Sequence, residues 1–171
     1  RRVKNIVKNF KKKHKKTCLS IDTRKSNVMI KAIKHGADLI NDVSGFNYEN
    51  QSLSRLKRYN VAKVLHHMQG TPNTMQKNPK YKNVLIDIYD FFEKGIKKIN
   101  NKKIILDPGI GFGKNLKHNL TLISKISLFH SLGLPILIGT SRKRFISQIS
   151  GDNDSKERIG GTIASVLFLL S

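Results

Sequence analysis

The sequence predicts an α/β fold in which about five parallel strands alternate with surrounding helices. Short aliphatic runs alternate with helical segments along the 171 residues, and such runs are typical of strands that are buried on both faces of a parallel sheet. Polar residues follow each run directly. Because the carboxyl ends of parallel strands meet at the same edge of a sheet, these polar endings predict a single pocket there.

The five predicted strands share an aliphatic centre and a polar ending. They cover residues 17–21, 38–41, 61–65, 103–106 and 135–138. The residues that follow or end them are, in order, Asp22, Asn41, His66 with His67, Asp107, and the turn at 139–143.

Apolar residues at helical spacing predict the helices between these strands. Residues 3–13 show this spacing with lysines on the opposite face. Ser26 is predicted to cap a helix over 27–34, and Gly36 to end it. Further helices are predicted at residues 52–59, 83–100 and 119–132, near 143, and at 157–170.

This alternation is typical of a (β/α)₈ TIM barrel, whose closed sheet needs about eight strands. Five strands therefore predict a partial barrel. No linker or break in composition interrupts the chain, which predicts one domain over residues 1–171.

Composition narrows the class of protein. No run of eighteen apolar residues is present, so no membrane span is predicted. A single cysteine and the lack of an apolar leader segment favour the cytoplasm. The net charge of +22 raises the alternative of a nucleic-acid binder. The lysines are scattered and lack interleaved aromatic residues, so only weak, unspecific RNA binding is predicted.

The segment 107–114 is the densest motif. Three glycines within it allow a backbone to approach a ligand closely, and Phe112 between two of them can form a flat apolar wall. A plain tight loop has the same letters, but the position directly after a strand ending in Asp107 favours a functional site.

Two further groups of polar residues point to ligand binding. Asp22, Asn41 and Asp107 can together bind the edge of a flat heterocycle, although carboxylates in such places also cap helices. The run 141–143 can bind a ring carbonyl or an anion, or form an ordinary basic turn. His66 and His67 have no third ligand at suitable spacing, so no protein metal site is predicted.

These motifs resemble those of the dihydropteroate synthase family, pterin-binding TIM-barrel enzymes of folate biosynthesis. The resemblance rests on residues 20–23, 36–43, 67–72, 107–114, 139–143 and 157–164. It implies transfer of a dihydropterin-6-ylmethyl group from its diphosphate to 4-aminobenzoate, giving dihydropteroate and diphosphate.

The resemblance also implies residue roles. Asp22, Asn41, Asp107 and Lys143 would bind the pterin, and Phe112, Ser141 and Arg142 would shape the 4-aminobenzoate side, with Gly111 also among the substrate-binding residues. Asp22, Asp107 and Lys143 are the predicted catalytic residues. The two carboxylates would stabilise the positive charge that develops as diphosphate leaves.

Parts of the family pattern have no counterpart in this sequence, namely the first two strands and the last strand. The family uses Mg²⁺, and its expected protein ligand belongs to one of these parts. An inactive remnant or a pterin-binding module of the same fold is therefore an alternative to the active enzyme. By analogy with the family, a homodimer through the C-terminal helices is expected.

Overall fold

The computed structural model describes residues 2–100, 103–151 and 154–170. It confirms the α/β class with a parallel sheet. The chain divides into two compact units, one formed by Arg1–His66 with Phe92–Leu106 and the other by His67–Phe91 with Asp107–Ser171. The single domain over 1–171 stays a prediction.

The first unit carries the sheet. Its elements in chain order are α1 (Arg2–Lys13), β1 (Ser20–Asp22), α2 (Ser26–Ile33), β2 (Leu39–Asp42), α3 (Ser52–Leu56), β3 (Ala62–His66), the second half of α4 (Val84–Ile99) and β4 (Ile104–Asp107). The strands lie in the order β1-β2-β3-β4. The parallel register places Asp22 opposite Asn41 and Asn41 opposite Val64.

The core of this unit lies on the strands and on the helix faces against them. Ile40, Val64 and Ile104 are at most 1% exposed. The side chain of Leu65 packs so closely on Gly95 of α4 that a Cβ atom would not fit there. The centres of β2, β3 and β4 are therefore buried as their aliphatic composition predicts, whereas no residue of β1 is buried.

The predicted N-cap of α2 is wrong. The cap position belongs to Lys25, whose side chain makes no capping hydrogen bond. Ser26 is fully buried, and its N–H donates to Glu49 Oε2 at 2.9 Å. The Glu49 carboxylate, 23 residues further along the chain, thus accepts a hydrogen bond at the start of the helix in place of the serine hydroxyl. A local sequence pattern cannot predict a partner at this distance.

The second unit contains the first half of α4, then α5 (Leu116–Ser124), α6 (Arg144–Ser150) and α7 (Ile159–Leu170). Turns of 3₁₀ helix lie at Ile126–Leu132 and Lys156–Arg158. The predicted helix 119–132 is shifted. It begins earlier because Asn115 and His118 form a capping box, and it changes to 3₁₀ geometry after Lys125, whose φ of −124° is not helical.

The fifth predicted strand, 135–138, is wrong. Among the described residues the sheet has four strands, and this segment has only one isolated bridge residue, Ile136. Pro135 has no N–H to donate to a ladder, and Leu137 is 37% exposed. The segment 135–138 therefore has the aliphatic composition of a strand but lacks the ladder of hydrogen bonds that defines one.

Helix α7 presents apolar side chains outward. None of its residues is buried, and its exposed apolar residues include Ile163, Leu167 and Leu170 at 55%, 64% and 80% exposure. In the part of the chain that the structure describes, no helix combines the length and apolar character needed to cross a membrane.

Candidate active site

In the first unit, Asp22 and Asn41 lie side by side at the carboxyl ends of β1 and β2. Their Cα atoms are register partners, and Thr23 N–H donates to the Asn41 carbonyl at 3.0 Å. The Asp22 side chain is exposed. Asn41 Oδ1 is buried and accepts no hydrogen bond from any described residue. A buried acceptor of this kind is an available partner for a ligand donor.

The two adjacent histidines are both buried. His66 is 2% exposed, with Nδ1 3.0 Å from the Val43 carbonyl oxygen in the first unit. His67 is 8% exposed in the second unit, and its ring lies edge-on to Phe91. Within residues 2–100, 103–151 and 154–170, no three His, Cys, Asp or Glu side chains come together as metal ligands would.

In the second unit, Asp107 is held at the start of the glycine loop, which comprises residues 109–113. Asp107 is 7% exposed. Its Oδ1 accepts a hydrogen bond from Gly109 N–H at 2.8 Å, and its carbonyl accepts one from His67 N–H at 2.8 Å. Burial raises the pKa of the Asp107 carboxyl to about 6, although the positive charges of Lys143 and Lys114 oppose that rise.

Besides the bond from Gly109 N–H to Asp107, further hydrogen bonds fix the glycine loop. Their donors and acceptors lie within the loop, on α5 and in the segment 67–91. They join Phe112 N to Gly109 O at 2.9 Å, Gly111 N to Asn119 Oδ1 at 2.7 Å, Gln76 Nε2 to Gly111 O at 2.6 Å, and Tyr81 Oη to Gly113 O at 2.8 Å. The loop is therefore a built structure rather than a simple connection.

Two of the glycines are required by the space around them. Gly111 has φ of +82°, and a Cβ atom there would lie 3.2 Å from Lys143 Cδ. Gly113 has φ of +62°, and a Cβ atom there would lie 2.6 Å from the Gln69 carbonyl oxygen. The left-handed backbone disfavours a side chain at both positions, and at Gly113 the backbone oxygen is too close for a Cβ atom.

Lys143 lies over the loop. Its Nζ is 4.2 Å from the centroid of the Phe112 ring, a cation–π contact. Burial lowers the pKa of Lys143, and the negative charge of Asp107 opposes that change. The structure thus brings Asp107, Gly111, Phe112 and Lys143 together. They offer a hydrogen-bond acceptor, a cationic donor and a flat apolar wall.

Ser141 and Arg142 lie exposed on the turn before α6. Arg142 has φ of +53°. Its N–H donates to Thr162 Oγ1 at 2.9 Å, and its carbonyl accepts from Arg158 Nη1 at 3.2 Å. These bonds join the segment 157–164 to the turn 139–143. The ligand-binding role of Ser141 and Arg142 stays a prediction.

Sequence reasoning assigned no role to three residues that support the site. Lys114 is buried beneath the loop, and its position directly after the last glycine is a signal that could have found it. Tyr81 and Gln69 come from the segment 67–91. Gln69 makes two hydrogen bonds to the Lys80 backbone. Gln69 Nε2 donates to the Lys80 carbonyl at 2.6 Å, and Gln69 Oε1 accepts from the Lys80 N–H at 2.8 Å. No local sequence pattern predicts the structural role of Tyr81 or Gln69.

The comparison with known proteins gives the family. The sequence model of the pterin binding enzymes matches residues 1–170. The chain therefore belongs to the pterin binding enzyme family.

Within this family the chain is similar to dihydropteroate synthases. It is 39% identical to that of Escherichia coli K12 over 151 residues, which are 85% of this chain and 53% of the relative. The chain thus spans about half the length of the curated relatives it matches.

Solved structures give the same result. A Stenotrophomonas maltophilia dihydropteroate synthase with active site-bound imidazole superposes with a TM-score of 0.92 at 32% identity, over 98% of this chain and 64% of that one. The Thermus thermophilus enzyme in complex with 4-aminobenzoate gives 0.89 at 35% identity, over 97% and 65%. This coverage agrees with a partial TIM barrel.

Proposed function

We propose that the full-length protein is a dihydropteroate synthase. It would transfer the dihydropterin-6-ylmethyl group from its diphosphate to the amine of 4-aminobenzoate, giving 7,8-dihydropteroate and diphosphate. The observation that carries the proposal is the arrangement of Asp107, Lys143 and Phe112 in the second unit, in a chain of this family. Related structures hold 4-aminobenzoate and 6HMPPP.

The pterin would be bound by groups that match its edge. An ionised Asp107 accepts two N–H donors side by side, and Lys143 donates to a ring carbonyl. Asn41, with its unbonded buried oxygen, and Asp22 would accept further donors.

The reaction is a substitution at the pterin methylene carbon. The C–O bond to diphosphate breaks with its electron pair leaving on oxygen, and the amine nitrogen of 4-aminobenzoate forms the new C–N bond and then loses a proton. Positive charge that develops on the methylene and ring is stabilised by the fixed carboxylates of Asp22 and Asp107. Phe112, Ser141 and Arg142 would hold the second substrate in line, and Gly111 would be a further substrate-binding residue.

Mg²⁺ and a second copy of the chain belong to this proposal as family expectations. By the family resemblance, the expected protein ligand of the metal belongs to a segment without a counterpart in this sequence, so no residue here is assigned to it. A homodimer would cover the apolar side chains of α7. Light scattering should give twice the monomer mass, and Leu167→Lys should shift it to the monomer. A monomeric unmodified protein would refute the proposed dimer.

A cytoplasmic location is also proposed, since the sequence has a single cysteine.

Titration calorimetry with a pterin analogue on the full-length protein tests the site. Asp107→Ala and Lys143→Ala should each abolish binding, while exposed Lys117→Ala should bind normally. Unchanged affinity in the first two variants would refute the assignment.

The alternative is an inactive remnant or pterin-binding module of the same fold. It predicts pterin binding without dihydropteroate formation, so a turnover assay separates it from the enzyme. The +22 charge predicts RNA attraction that disappears near about 0.2 M salt; retention above that concentration would favour a nucleic-acid binder.

A further inference from the structure

Lys114 is a buried lysine with defined partners beneath the glycine loop. It is 3% exposed. Its Nζ donates to the Phe112 carbonyl at 2.8 Å and lies 3.1 Å from His67 Nδ1. A lysine so deeply buried is stable only where such partners satisfy its amine. The two bonds join the loop to the segment that begins at His67.

The Tyr81 ring forms another wall of this site. Lys114 Nζ is 5.9 Å from its centroid, and the Tyr81 hydroxyl donates to the next carbonyl of the same loop, that of Gly113. Lys114 and Tyr81 therefore hold successive parts of the loop from beneath.

The charges around Lys114 come from several elements. The titratable groups that face it or interact with its charge are Asp107 at the end of β4, Lys143 before α6, His67 and Tyr81 in the segment 67–91, and His118 on α5. Asp107 is the only carboxylate among these five groups. The positive charge of Lys114 therefore acts mainly to keep Asp107 ionised.

We propose that Lys114 is a positioning residue of the pterin site: it locks the glycine loop through the Phe112 carbonyl and His67, and it places a buried positive charge close to Asp107. The inference rests on the proposed function, since it assigns Lys114 to the same site. It adds a residue that holds the apolar wall and the ring-binding carboxylate in their working state.

The charge of Lys114 fits this role near neutral pH. Burial lowers its pKa to about 7, with Asp107 opposing that change. Lys114 is thus protonated in the range around pH 6, where Asp107 titrates. Without the cation, Asp107 should take up its proton at a higher pH.

The test uses Lys114→Met, Lys114→Gln and Lys114→Arg in the full-length protein, with exposed Lys117→Met as the matched control for loss of one charge. For Met and Gln we expect the acid limb of the kcat/KM profile to move upward by about half a pH unit or more. The KM for the pterin substrate should rise roughly tenfold while kcat changes less. Lys114→Arg should restore the acid limb, and Lys117→Met should leave it unchanged.

Amide hydrogen exchange of residues 109–113, measured without substrate, gives a second readout. Exchange should rise about tenfold or more in Lys114→Met and stay normal in Lys117→Met. Should the unmodified protein make no dihydropteroate, the proposed function fails and this exchange result alone decides the role of Lys114. The inference would be overturned if the Lys114→Met and Lys114→Gln variants had the same pH profile as the unmodified protein and normal amide exchange. Failure of both the Met and Gln variants to fold would also overturn it, because Lys114 would then serve stability alone.

Discussion

Asp107→Asn should make the protein more stable at neutral pH while removing pterin binding. The Asp107 carboxyl is 7% exposed, and burial raises its pKa from 3.8 to about 6. A folded-state pKa above the unfolded value means that the protonated form is favoured by folding. The stabilisation is therefore complete below pH 3.8 and is lost as the pH rises through 6.

The magnitude follows from the shift. A rise of about 2.2 units corresponds to about 3 kcal/mol of unfolding free energy that is lost on ionisation. Asparagine is nearly isosteric and uncharged, and its Oδ1 can still accept the Gly109 N–H. The substitution should therefore raise the unfolding free energy by up to about 3 kcal/mol at pH 7.5 and by much less at pH 4. Loss of the negative charge beside Lys114 and Lys143 reduces the gain.

Urea unfolding of the full-length protein at the two pH values measures this effect. Asp90→Asn, on the exposed side of α4, is the control, and it should change stability by less than about 0.5 kcal/mol at either pH. A destabilised Asp107→Asn at pH 7.5, or a gain that does not depend on pH, would refute the reasoning. Calorimetry on the same sample should show that pterin binding is lost.

Three other changes have expected outcomes. Gly113→Ala places a Cβ atom 2.6 Å from the Gln69 carbonyl oxygen at a φ of +62°, so thermal unfolding should show a loss of about 1–3 kcal/mol. Tyr81→Phe removes the 2.8 Å bond to the Gly113 carbonyl and should lose about 1 kcal/mol by urea unfolding. Lys63→Met replaces a 2% exposed amine whose pKa is lowered by burial, and should raise the urea midpoint by the equivalent of about 1 kcal/mol.

Matched variants separate these effects from nonspecific ones. Gly139→Ala adds the same methyl group where no atom lies within 4 Å, and it should leave the melting temperature nearly unchanged. Lys57→Met removes an exposed charge and should not raise the urea midpoint. Equal effects in Gly113→Ala and Gly139→Ala would contradict the packing argument. A destabilised Lys63→Met would contradict the burial argument for that lysine.

Most of the sheet was predictable because β2, β3 and β4 have buried aliphatic centres, whereas no residue of β1 is buried. Strands β2, β3 and β4 begin and end within one residue of the predicted bounds. Strand β1 begins three residues late, since Thr17 and Cys18 are exposed. The segment at Pro135 has the same composition as these strands but lacks their ladder, because composition reports burial and not hydrogen bonding.

The positions of the candidate site residues were predictable where a polar residue directly follows a strand, and their functional roles stay predictions. Asp107 and the glycine loop were found by that rule, and Lys143 by its place after an aliphatic run. Tyr81 and Gln69 were not found, because their roles depend on backbone partners 32 and 11 residues away. Composition and periodicity carry no information about such distant bonds.

The two hydrogen bonds between the Gln69 side chain and the Lys80 backbone have a dynamic consequence. The Gln69 amide joins the two ends of the segment 69–80 through these bonds. The residues between the ends should therefore open together in a single local unfolding event rather than fray from one end. Gln76, which lies inside this span and bonds to the Gly111 carbonyl, would leave the glycine loop in the same event. Access to the loop from this side is then governed by the rupture of a few bonds at once.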